Sequence, residues 1–324
     1  MPTISITKHT IDAFDAVTVA NGALALTLIP ELGGKIAHLR DLRSGRDWLW
    51  RNPRMAYKRG PYGPAYGAEA DTGGWDECFP TVAPCVYPTA PWQHVNIQDH
   101  GELWSQLPVF EISEHTDRVI LHTRWRGVSL PYSFERAVIL TADSTHLRVE
   151  YAVTNTSDAA VAFIWCAHAL LAIAPGMQLR TPPPARFNRW ASVPADLLSQ
   201  HTGLSFPLSV RVHETEIDLA TLPDGATGLA LKLWSDPLDQ GWVTLHAPDG
   251  ELRMRWDVAK LPQVALWVNL GAWAGDGGEP YYNLGLEPCI GAQDSLAEAV
   301  ERNLVGMLPP RGTRSWWLEV ELAA

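Results

Sequence analysis

A chain of 324 residues, 46% hydrophobic and 19% charged, can bury a sizeable core, which excludes global disorder. Its formal charge of −11, with no cluster of Lys and Arg, argues against a phosphate-binding surface and so against a nucleic-acid partner. The N-terminal MPTISITKHTIDAFD lacks a basic stretch followed by an apolar one. No apolar run reaches the ~18 residues of a membrane span.

The four cysteines (Cys78, Cys85, Cys166, Cys289) form no C-x-x-C pair, so neither zinc spacing nor a disulfide framework is indicated. The expectation is a cytoplasmic chain with free thiols and no membrane partner. Gly and Pro contribute 25 residues each, which cuts the chain into short elements joined by turns. The 15 Trp residues serve equally as core filling or as flat faces for a sugar ring, and composition does not separate the two uses.

In chain order, AVTVANGALALTLIPELGG reads as two strands about the turn Asn21-Gly22, and the pattern continues to a turn at Ser44-Gly45. The segment 118–173 holds about four strands separated by Gly, Pro, Asp and Ser clusters. GLALKLWSD, GWVTLHAPDGELRMRWD and QVALWVNLGAW follow in the same style, and RSWWLEVELA closes the chain as an edge or final strand. Helix signals are few: SLAEAVERNL, with Ser295 as N-cap and Glu298 three residues later, and a single turn in PADLLSQ. No repeat or linker divides the chain, so residues 1–324 form a single all-β, mostly antiparallel domain. The long Pro/Gly-rich loops near 51–98 and 175–205 are candidate functional segments.

Four segments are dense in chemistry. GGWDECFP places Asp76 and Glu77 beside Trp75 in a Gly-rich turn, which reads either as solvated loop acids or as ligands for sugar hydroxyls. DHGELW sets His100 between Asp99 and Glu102, with Trp104 either core or a stacking face. WCAHALLAI isolates His168 in an apolar run, where burial demands a partner or a task. YYNLGLEPCIGAQDSL places Glu287 in an apolar stretch, where burial would lift a carboxylate toward useful acid–base range. Nucleophile elbow, zincin, P-loop and Rossmann motifs are all absent, and no H-x-H spacing supports a metal.

Together these segments resemble the galactose mutarotase-like (aldose 1-epimerase) superfamily, along nearly the whole chain and closest to a branch with GGWDE-type and DHGE-type motifs. The order His…His…Glu is the most specific part. The resemblance implies one large twisted β-supersandwich with few short helices and a cleft on one sheet. It implies that His100 and His168 are the two family histidines and that Glu287 is the catalytic glutamate. Two departures bear on the sugar. Ala169-Leu170-Leu171 stands where galactose enzymes are aromatic, and their binding aspartate has only Asp236 and Lys232 as candidates.

Under this resemblance Glu287 is the base on the anomeric hydroxyl, His168 the acid on the ring oxygen, and His100 a stabiliser. Asp99 or Glu102 would raise the pKa of His100. Trp75, Asp76, Glu77 and Lys232 would bind substrate. The reaction needs no cofactor and no metal, and the partner is a small carbohydrate taken by a monomer or homodimer. Two alternatives stay open: a non-catalytic sugar-binding or regulatory module, and an isomerase or lyase of an acidic sugar.

Overall fold

The computed structural model describes residues 4–63, 65–195, 197–198 and 202–323. Among them, strands dominate and the helices are two short ones, Tyr66–Glu69 and Leu296–Glu301. The chain is an all-β supersandwich of two large antiparallel sheets. The first has eleven strands, in spatial order Ser5–Ile11, Phe14–Ala20, Leu24–Ile29, Lys35–Asp41, Trp75–Cys78, Trp165–Ala172, Tyr282–Ile290, Gln263–Leu270, Leu229–Ser235, Arg186–Val193 and Leu204–Ser205. The second has eight: Gln178–Arg180, Trp242–Ala247, Gly250–Trp256, Thr313–Ala323, His146–Asn155, Tyr132–Thr141, Arg118–Arg126 and Val109–Glu114.

Asn21 closes the hairpin of Phe14–Ala20 with Leu24–Ile29, its side-chain oxygen accepting from the N–H groups of Ala23 and Leu24. Ser295 caps Leu296–Glu301, its hydroxyl accepting from Glu298 N–H at 3.5 Å. The segment 118–173 forms five strands rather than four, the short Val161–Phe163 being the addition. The last strand is not an edge: it pairs on both sides, with His146–Asn155 and Gly250–Trp256. The turn expected in PADLLSQ falls partly on 196, 199 and 200, outside the described residues.

Strand alternation decides what fills the space between the sheets. In Trp75–Cys78 and Trp165–Ala172, Trp75, Glu77, Trp165 and Ala167 point inward, toward the eight-stranded sheet. There Glu77 accepts from Arg136 (3.1 Å), Tyr151 Oη (3.0 Å) and Trp165 Nε1 (3.0 Å). Trp75 is 0% exposed in the same layer. The expectation that Trp75 and Glu77 contact substrate is therefore corrected: both belong to the core, because every second residue of a strand leaves the cavity face.

Burial lifts the Glu77 carboxyl to about 7, against the opposing charge and hydrogen bonds of Arg136. Removing one member of a buried pair strands the other. Arg136→Met should lower unfolding free energy by about 3 kcal/mol in urea titrations, and Arg136→Met with Glu77→Gln should recover part of it. A single variant as stable as wild type would contradict this account of the core.

Candidate active site

On the outward face of the eleven-stranded sheet, the same alternation collects a different set. His168 is paired in register with Asp76, Glu287 with Ala265, and Lys232 with Trp267. These strands lie side by side at the middle of the sheet, so residues 76, 168, 232, 267 and 287 share one surface. A cavity of about 280 Å³ opens above it. That is near the ~300 Å³ lower bound of small-molecule pockets, suited to a single monosaccharide.

His100, His168, Glu287 and Lys232 all line this cavity, so the three residues assigned to chemistry from sequence meet in one place. Asp76 does not line it. Asp76 is buried behind Tyr66, whose hydroxyl donates to Oδ2 at 2.6 Å, and the same oxygen accepts from Lys35. Asp236 is also elsewhere, accepting from Asn188 Nδ2 at 2.8 Å.

The DHGE stretch holds His100 by a local device. Asp99 Oδ1 accepts from His100 Nδ1 (2.9 Å), while Oδ2 accepts from the Tyr66 N–H (2.8 Å), tying the loop to the helix Tyr66–Glu69. His100 takes the left-handed conformation at φ 58°, and Gly101 follows at φ 71°. A Cβ on Gly101 would fall 2.2 Å from the Phe79 carbonyl oxygen, so only glycine permits this approach. The His100 ring stacks on Tyr66 with centroids 4.1 Å apart and meets His168 edge-on at 5.0 Å.

Glu102 has another task than tuning His100. It is 0% exposed and accepts from Tyr62 Oη (2.8 Å), Tyr132 Oη (2.7 Å), the N–H groups of Val128 and Ser129, and the Ser129 hydroxyl. It fastens the loop to the neighbouring sheet. Trp104 is buried, donates to the Asp99 carbonyl (2.9 Å) and supports Tyr66 edge-on, so it is core.

The two histidines differ in charge. Burial works against a charge on His100, but the Asp99 carboxylate and its hydrogen bond overcome this and raise the pKa above the ordinary 6.5. Burial, then the adjacent charge of His100, pushes His168 well below 6.5, and its Nδ1 has no partner. The charge of one ring disfavours charge on the other, so the pair favours a single positive charge, on His100.

Glu287 is 0% exposed. Its Oε2 accepts from Lys232 and from the Cys166 thiol at 3.2 Å, while Oε1 is buried without a partner. Lys232 also lies 3.9 Å from Asp294, and these two carboxylates raise its pKa despite burial. Its charge is thus committed within the protein. Burial lifts Asp294 and Asp71, which also line the cavity, to about 6 each.

The rest of the lining is largely aromatic and apolar: Trp190, Trp267, Trp273, Leu170, Val82 and Tyr66 among them. Trp267 and Trp273 meet edge-to-face at 5.3 Å. These half-buried indoles and Asp71 were not singled out from sequence. Among 15 Trp residues no local pattern marks those three; Asp71 does lie in the expected loop near 51–98, whereas the segment expected as a loop near 175–205 includes the strand Arg186–Val193, which carries Trp190. Among the described residues, no group of three or more His, Cys, Asp or Glu side chains is arranged to hold a metal.

No family profile matches the chain, and no curated protein matches it. Solved structures do match it in fold. A Klebsiella pneumoniae protein provisionally named an aldose 1-epimerase superposes with a TM-score of 0.71 at 14% identity, covering 100% of this chain and 84% of its own. A galactose mutarotase-like protein from Clostridium acetobutylicum gives 0.68 at 11% identity, covering 98% of both chains. A second galactose mutarotase-like protein, from Lactobacillus casei, gives 0.61 at 14% identity, covering 95% of this chain and 99% of its own. The chain has the galactose mutarotase-like fold.

Proposed function

We propose that the chain is an aldose 1-epimerase-like isomerase that interconverts the α and β anomers of a free sugar by general acid–base catalysis. One observation carries this reading: Glu287, whose buried Oε1 has no partner, lines a monosaccharide-sized cavity together with two histidines whose pKa values are pushed apart, His100 upward and His168 downward. The neighbours named for mutarotase and epimerase activity support it through their fold.

In this mechanism Glu287 Oε1 takes the proton of the anomeric hydroxyl. As the C1–O1 carbonyl forms, the C1–O5 bond breaks and the ring oxygen receives a proton from the histidine pair. Rotation about C1–C2 and the reverse transfers close the other anomer, leaving both groups as they began. Lys232 and Cys166 hold Oε2, so Oε1 is the reactive oxygen. The charge states favour His100 as the resting place of the acid proton, with His168 as the neutral hydrogen-bonding ring. This reverses the order expected from sequence. Trp190, Trp267 and Trp273 supply faces for the C–H side of the pyranose.

Each positioned proton-transfer group contributes about 10²–10⁴-fold. Glu287→Gln should therefore lose acceleration of anomer exchange, read by NMR or polarimetry, by a factor in that range. Wild-type exchange in this variant would refute the reading.

The pH dependence follows from His100, whose charge also feels Lys232 and Asp71. Its pKa is raised, so the cation persists to higher pH than an ordinary imidazolium and is lost as pH rises through the raised value. The alkaline limb of kcat/KM should lie above 6.5, and Asp99→Asn should move it downward. An unmoved limb would take the acid role away from His100.

A further inference from the structure

Asp71 follows the helix Tyr66–Glu69 and lines the cavity together with Tyr66 and Trp273. Its backbone is fixed: the N–H donates to the Tyr66 carbonyl (3.0 Å), and the carbonyl accepts from Asn52 Nδ2 (2.8 Å). The carboxyl also takes a backbone hydrogen bond at Gly73, but one oxygen is left over. The residue is 4% exposed, and Oδ1 is buried without a partner. Because the residue lines the cavity, this unpartnered carboxylate oxygen is the acceptor nearest to hand for a ligand there.

The cations near it are spent. Lys232 serves Glu287 and Asp294, His100 serves Asp99, and Lys35 serves Asp76 and the Gly73 carbonyl. Against these the cavity is lined by Asp71, Glu287 and Asp294. An anionic substituent would meet Asp71 with no uncommitted cation among the described lining residues. Apolar walls screen that repulsion poorly. A hydroxyl, in contrast, donates to the carboxylate in a charge-assisted hydrogen bond.

We propose that Asp71 is a specificity residue: it accepts a hydroxyl of a neutral aldopyranose and excludes sugars bearing a carboxylate or phosphate. This rests on the mutarotase reading of the site and adds the charge class of its substrate. Asp71 acts on binding; its charge also helps raise the pKa of His100, so kcat is compared well below the alkaline limb.

The test uses the full chain with D-galactose, D-glucose, D-galacturonate and D-glucose 6-phosphate. Anomer exchange is followed by NMR and binding separately by tryptophan fluorescence. Wild type should favour the neutral sugars by about tenfold or more in kcat/KM. Asp71→Asn keeps the shape and removes the charge. It should raise KM for the better neutral sugar about tenfold, with kcat nearly unchanged, and shrink the neutral-to-anionic ratio several-fold. Should Asp71→Asn fail to fold by circular dichroism, Asp71→Ser takes the same test.

A wild-type preference for either anionic sugar overturns the proposal, as does an unchanged ratio in a folded variant. If wild type binds neutral sugars without accelerating exchange, the mutarotase reading falls. The binding ratios of wild type and variant then decide the role of Asp71 by the same criteria. Absence of saturable binding by any neutral sugar overturns it.

Discussion

Everything at the centre of this molecule depends on the two-residue pleat of three adjacent strands that are buried on both faces: Trp75–Cys78, Trp165–Ala172 and Tyr282–Ile290. Because the period is fixed at two, one strand delivers His168 to the cavity and Trp165 to the inter-sheet core. Its neighbour delivers Asp76 to one side and Glu77 to the other. A slip of one residue would exchange the two sets, burying the histidine between the sheets and pulling Arg136's partner out. The Glu77–Arg136 cluster and the cavity residues therefore fix each other's register, which gives a buried ion pair a purpose beyond stability.

Around that centre, charge is arranged in closed local accounts. Asp99 answers His100, Lys35 answers Asp76, and Lys232 answers Glu287 with Asp294 close by. What remains open is a small set of unpartnered atoms at the cavity: Glu287 Oε1, His168 Nδ1 and Asp71 Oδ1. Unpartnered buried atoms occur elsewhere in the core as well, Asp76 Oδ1 and Trp75 Nε1 among them, but these three belong to residues that line one cavity, where a ligand can complete the bonding.

Local features were legible in the sequence. The Asn21-Gly22 turn, the Ser295 cap with Glu298, and the alternating strands follow from chemistry within a few residues. So did the isolation of His168 and Glu287 in apolar runs, since a titratable group there has few bland explanations. What escaped was long-range. In WDEC both faces are buried, so no polar–apolar alternation reports which acid faces the cavity, and the partner of Glu77 lies 59 residues away. Glu102 looked like a companion of His100 because it is near in sequence. Its partners come from the loop at 62 and from 128–132, where the other sheet turns into the strand Tyr132–Thr141. Trp267 and Trp273 are distinguished from core indoles only by the open space above them.

Glu287, His168 and Lys232 stand on strands in the interior of the eleven-stranded sheet, whereas Asp71 and Trp273 stand on loops and Trp190 on the second strand from its margin. The sheet interior thus carries the base and its lysine, and His100 is the one proton-handling group on a loop, held there by Asp99 and Tyr66. Substitutions at 190 and 273 can drift, or be chosen by a designer, without disturbing the hydrogen-bonded lattice that carries the proton chemistry. Such a scaffold can change its diet while keeping its reaction.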